Sequence, residues 1–283
     1  MALHDRYPRR TPYELAIPGR AFVDERFGLL KEEVEKRGAD PHDPARLILM
    51  GEVGRLLQEL GGAEGPAEER MRHLGAMLFH AFHFWSAGEP LYLLDLHAAR
   101  YLVEAVKDTP GSAAPEAPSP AGYLQLPRNL FWARVSQEGV AEALDGFFWT
   151  LSPVEPQVMH VLGILGLRGD RPGMSAVELT SVPVSALAEA LVSGAREDGD
   201  DFATDLPGGE LENLYSLQTG MEVLKLLGRV FAYVEAHPGA VSGPERHPRD
   251  EADADGPDPS SLPARRIRLR DEEEAVSGAS SAE

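Results

Sequence analysis

The chain has 283 residues, 43% hydrophobic and 26% charged, an ordinary globular composition that gives room for one or two domains with a sizeable core. Its formal net charge of -19 repels phosphate backbones and anionic headgroups, which argues against nucleic-acid and membrane binding and favours neutral or basic partners. With no cysteine, disulfides, thiolate nucleophiles and Cys-ligated zinc are excluded.

The first residues, "MALHDRYPRR", carry charge where a signal peptide needs an apolar stretch. The longest apolar run, "VLGILGL", is far shorter than the roughly 20 residues a bilayer span requires. A cytoplasmic protein is therefore expected. Arginine greatly outnumbers lysine, which occurs only at 31, 36, 107 and 225, as in a GC-rich bacterial genome.

After an N-terminal arm over 1–19, a helical region over 20–109 is expected to hold four helices. In the first, Val23, Phe27, Leu30 and Val34 share one face at about 100° per residue, and Gly38 ends the run. The second starts with Asp43 as N-cap and Pro44 at the first helical position, carries Leu47, Ile48, Leu56, Leu57 and Leu60, and stops at Gly61-Gly62. A third runs from Pro66 to Trp85, and a fourth follows Asp95.

Residues 110–121 are rich in Pro, Ala and Ser and read as a linker or long loop. Beyond it, over 122–236, "YLQLP", "LFWARV", "GFFWTL", "VMHVLGILGL" and "SAVELTSV" read as successive strands of a mostly antiparallel sheet, the last two joined by a hairpin at "RGDRPG". A short helix from "PVSALAEALVSG" and a long one ending at His237-Pro238-Gly239 cover this sheet. The acidic segment 237–283 has no aromatic residue and is expected to be disordered. The fold class expected is thus α+β.

Two residue sets carry chemistry. In "ERMRHLGAMLFHAFHFW", Glu69, His73, His80 and His83 fall within about 80° on a helical wheel, opposite Met71, Leu74, Leu78, Phe82 and Trp85. Such a face can hold a divalent metal, the one cofactor the sequence accommodates, with Asp95 or His97 as a further ligand. It lacks H-E-x-x-H, and the plainer reading is a solvated or interdomain histidine face.

The second set lies around "GYLQLPRNLFWARV". Pro127 would interrupt a strand ladder, so the chain turns at Pro127-Arg128-Asn129. Aromatic residues point both ways along these strands, which calls for helices on both faces of the sheet. The alternative is an aromatic groove for a protein or peptide partner, formed by Tyr123, Trp132 and Trp149, with Arg128 or Arg134 gripping a carboxylate or backbone carbonyl.

Other matches are weak. "RGD" at 168–170 sits in the hairpin, "GILGLRG" lacks dinucleotide-binding spacing, and "EDGDDFATD" misplaces EF-hand ligands. There is no G-x-S-x-G elbow and no P-loop, although a serine triad is defined by geometry and not by order along the chain. "RRIRLR" near the end has a pattern that can add as a strand to another sheet, though such runs are more often solvated. The reading that results is a non-enzymatic protein- or peptide-binding module. Its alternatives are a metal-dependent hydrolase or metal-binding regulator, and a scaffold that self-associates as a homo-oligomer.

Overall fold

The computed structural model describes residues 7–16, 19–60, 67–104, 114–133, 142–154, 157–168, 171–193, 215–217, 220–246 and 259–270. After a short helix α1 (Pro12–Ala16), α2 (Arg20–Arg37) buries Val23, Phe27, Leu30 and Val34, the face their spacing predicts. It ends at Gly38, whose φ of 59° is the left-handed conformation glycine adopts at low cost.

The second expected helix is two helices. In α3 (Pro44–Leu47), the Asp43 carboxylate accepts from the Ala45 and Arg46 N–H groups. The chain then restarts as α4 (Gly51–Leu60), because the Glu33 carboxylate of α2 accepts the N–H groups of Gly51 and Glu52, both at 3.0 Å. A carboxylate from another helix thus caps α4, a tertiary signal that periodicity does not carry. Helix α5 (Ala67–Ser86) follows, then strand β1 (Leu91–Leu94) and α6 (Leu96–Glu104), with Asp95 accepting from the His97 N–H.

Strands β2 (Ala121–Gln125), β3 (Phe131–Ala133), β4 (Glu142–Leu151), β5 (Val158–Arg168) and β6 (Arg171–Pro183) lie where the apolar runs place them. They are followed by α7 (Ser185–Ser193), β7 (Tyr215–Leu217), α8 (Gly220–Ala236) and β8 (Ala264–Ile267). The strand order is β6-β5-β4-β2-β1-β8, with β3 paired to both β4 and β7.

The sheet is mixed, which corrects the expectation of a mostly antiparallel one. From β6 to β2 the neighbours run antiparallel, but β2-β1, β1-β8 and β3-β7 are parallel. A parallel pair needs a crossover, and α6 supplies it between β1 and β2. The four-residue run "LYLL" of β1 lies between two helices and is too short to show a period. Because β1 and β2 are hydrogen-bonded neighbours, the sheet is continuous across residues 110–121.

The end of the chain brings a second correction. Residues 264–267, inside the segment expected to be disordered, form β8 beside β1, with Ala264 and Ile267 buried. "RRIRLR" does add as a strand, and the sheet it joins is its own. Bridges from Val241 and Glu245 cover its outer edge. Apolar content within 237–283 is low, but an existing sheet edge needs only a few buried side chains and a row of backbone partners to dock a strand.

Both faces of the sheet are covered. On one, Phe27, Leu30, Val53 and Phe84 pack against Tyr123, Phe148 and Leu162; on the other, Leu102, Leu187, Leu227 and Phe231 pack against Leu124, Phe147, Trp149 and Val161. Consecutive residues Phe147, Phe148 and Trp149 alternate between the two cores, as the strand pleat requires. A Cβ on Gly122 would stand 2.3 Å from the Trp149 ring, so this strand position accommodates no side chain. Among the described residues no helix is long and apolar enough to cross a membrane.

Candidate functional site

The aromatic residues expected to form a groove are mostly core. Tyr123 and Trp149 are 0% and 1% exposed; the Tyr123 hydroxyl donates to Asp145, and the Trp149 indole N–H donates to the Ser119 carbonyl at 2.9 Å. Neither can line a surface groove. Burial, with the Asp145 carboxylate close by, pushes the Tyr123 phenol well above its usual range, so it remains a donor. Trp132 is half-buried and donates to the Asn129 carbonyl at 3.0 Å, while Arg128 is half-buried in the turn before it. That turn closes through the Leu130 N–H and Pro127 carbonyl, with Asn129 at φ 59°, a conformation asparagine tolerates. Arg134 lies outside the described residues.

His80 and His83 lie in the interior and not on a solvated face. His80 and His83 are 4% and 7% exposed because α5 lies against β2, β4, β5 and β6 and is enclosed along its second half. His80 Nδ1 is 3.0 Å from the Thr150 hydroxyl, and His83 Nε2 donates to the Pro41 carbonyl at 2.9 Å. His42 lies against His83 with ring centroids 4.5 Å apart, and Phe79 touches the rings of His80, His83 and His160 edge-on. His160 Nδ1 is 2.8 Å from the Ser181 hydroxyl.

All four imidazoles are easier to deprotonate than usual, chiefly through burial. His83 falls to about 4; His80 lies well below its ordinary value, with its histidine neighbours adding to the effect. His160 is lowered by burial and by His42, and His42 by burial against the opposing pull of Asp40. The cluster is therefore neutral at neutral pH. The side chains of Glu69 and His73 lie outside the described residues, and among the described residues no group of three or more His, Asp or Glu is arranged to hold a metal ion.

A cavity of about 360 Å³ opens elsewhere, between the N-terminal helices and the segment leading into β8. Its walls include Arg10, Tyr13, Glu14, Arg20, Glu89 and Ser260. Glu89 follows Gly88 at the end of α5, where its N–H reaches back to the Phe84 carbonyl at 2.8 Å. It has a φ of 59°, which is costly for a residue with a Cβ. Its carboxylate, 7% exposed, accepts from the Tyr13 hydroxyl at 2.9 Å and from Arg20. Burial and then the Glu89 charge push the Tyr13 phenol above its ordinary range.

Glu14, also in the cavity wall, gathers donors from two segments: the Thr11 N–H at 2.8 Å, and the Ser260 hydroxyl at 2.6 Å with the Ser261 N–H at 2.7 Å. Both carboxylates are thus engaged by the protein itself, and the Arg20 side chain, paired with Glu89 and Asp24, remains 57% exposed.

Sequence reading missed these cavity residues because they sit in an arm, a helix end and a segment expected to be disordered. It also missed His42, His160 and Ser181. The tetrad "GEPL" at 88–91 held one usable signal: a glycine after a helix, then a residue before proline with no apolar role.

No family model and no curated protein sequence matches the chain. Among solved structures it is similar to the crystal structure of AcrVA2, with 13% identity and a TM-score of 0.43 over 92% of this chain and 84% of that one. A likeness of this degree carries no argument here.

Proposed function

We propose that the protein is an interaction module that takes a short segment of a partner chain in the cavity bounded by Arg10, Tyr13, Glu14, Arg20, Glu89 and Ser260. The observation that carries this reading is Glu89: a buried carboxylate on strained backbone, pinned by Tyr13 and Arg20 at a cavity wall. Backbone strain concentrates where a ligand site demands a fixed geometry, and concave sites with a few convergent polar groups are where ligands bind. With Glu14 and Glu89 engaged internally, recognition falls to the exposed part of the Arg20 guanidinium that its ion pairs with Asp24 and Glu89 leave open, which suits one carboxylate or backbone carbonyl of the bound chain. The net charge of -19 favours a partner that is otherwise neutral or basic.

Selection of a random peptide library displayed on phage against the immobilised full-length chain tests the reading. Peptides sharing a consensus should be enriched, and Arg20→Ala should weaken their binding at least tenfold at a temperature where the variant, destabilised by loss of the Glu89 ion pair, is still folded. Failure to enrich any consensus, or binding indifferent to Arg20→Ala and Tyr13→Phe, would refute it.

A further inference from the structure

Ser181 and His160 meet at an irregularity in the β5-β6 ladder. Met159 pairs with Val182 and Val161 pairs with Leu179, so the single residue His160 stands opposite two, Thr180 and Ser181. A bulge of this kind bends its strand and re-aims a side chain, and bulges recur beside active sites. Here Ser181 Oγ lies 2.8 Å from His160 Nδ1. The serine is exposed, whereas the imidazole is 8% exposed.

The imidazole has one further restraint: Phe79 packs edge-on to it with ring centroids 5.1 Å apart. An exposed hydroxyl with a neutral base within reach of its proton, the base packed against an aromatic ring, makes an activated-nucleophile dyad. The sequence shows none of the usual motifs for it, since the two residues lie 21 positions apart and are brought together by strand pairing.

We propose that Ser181 is a nucleophile toward carboxylic esters, with His160 as its general base. Ser181 Oγ bonds to the ester carbonyl carbon while its proton passes to His160 Nδ1. The ester C–O bond then breaks, and the departing alkoxide takes that proton, leaving O-acyl Ser181 and a free alcohol. Water attacks the acyl carbon next. His160 accepts a proton from the water and returns it to Ser181 Oγ, which releases the carboxylic acid. Water is the only co-reactant. The step uses no residue of the cavity, so it stands or falls separately from peptide binding there.

The probe is a biotinylated fluorophosphonate, which bonds to a nucleophilic serine through phosphorus, losing fluoride, and stops at that adduct. Full-length protein is treated and followed by intact mass, with the site mapped by peptide fragmentation. One adduct per chain is expected, at Ser181, absent in Ser181→Ala. Its rate should exceed that of the same chain unfolded in urea by about 100-fold, the lower end of what general-base assistance supplies. His160→Gln can still hydrogen-bond Ser181 but cannot take its proton, and should slow labelling by a similar factor in the folded state. No adduct at Ser181, equal rates in native and unfolded chains, or undiminished labelling of folded His160→Gln would each overturn the proposal. If His160→Gln does not fold, the comparison of native and unfolded protein decides.

Discussion

The Arg9 guanidinium and the Asp145 carboxylate meet inside the protein, Nη2 to Oδ1 at 2.9 Å and Nε to Oδ1 at 3.0 Å, with side chains 8% and 6% exposed. Arg9 also donates to the Leu126 carbonyl, and its backbone exchanges hydrogen bonds with the Gln125 side chain. A residue of the N-terminal arm is thereby fastened to the centre of the sheet, across a separation in sequence of 136 residues.

Removing one partner leaves a buried charge without compensation. Asp145→Ala should therefore cost about 3–5 kcal/mol, measured by urea unfolding, and it also deprives the Tyr123 hydroxyl of its acceptor. The double replacement Arg9→Leu with Asp145→Leu should recover part of that loss, because two apolar groups leave no orphaned charge. Additive losses in the double variant would show that the pair is not coupled.

The two tryptophans of the central strands should separate by burial. Trp149, fully enclosed against Phe231 and Tyr92, should cost about 3–5 kcal/mol when cut to alanine. Half-buried Trp132 should cost distinctly less, with the protein still folded at room temperature. Gly122→Ala should act like a milder Trp149 change, since the new methyl must displace that ring. Thermal melts of the three variants give the order, and a Trp132→Ala protein less stable than Trp149→Ala would contradict it.

Strand β8 makes the end of the chain a structural element. Ile267, 1% exposed and packed in the core shared with α8, should cost about 2–5 kcal/mol on conversion to alanine. For a protein of this size that lowers the melting midpoint by roughly 4–10 °C. An unchanged midpoint would mean that β8 does not hold its place beside β1.

The buried histidines make stability depend on acid. In the unfolded chain an imidazole takes up its proton near pH 6.5, but His83 in the folded protein does so only at about 4. Protons therefore favour the unfolded state as pH falls from about 6.5 to about 4, and the stability present above that window is lost across it. His83 alone accounts for about 1 kcal/mol between pH 7.5 and 5.5, and His80, His160 and His42 act in the same direction. Urea midpoints at those two pH values should differ by less in His83→Gln than in the parent chain. An identical pH dependence would show that His83 is not the group responsible.

What the chain reveals by itself is local. The spacing of Val23, Phe27, Leu30 and Val34 specified both a helix and its buried face; Asp43 and Gly38 marked a start and a stop. The apolar runs from Tyr123 to Val182 located five strands, and aromatics on both sides of Phe148 implied helices on both faces of the sheet. Each of these depends on residues within a few positions of one another, where side-chain period and backbone preference act directly.

Partners distant along the chain decided the rest. Glu33 of α2 divides the second helix; a crossover through α6 makes β1 and β2 parallel; an open sheet edge gives order to residues 264–267. The candidate sites share this dependence. Glu14 meets Ser260, Tyr13 meets Glu89 and His160 meets Ser181 only after the sheet and its covering helices have formed. Short polar side chains have no period of their own, and their chemistry is set by the burial and the neighbours that tertiary packing imposes.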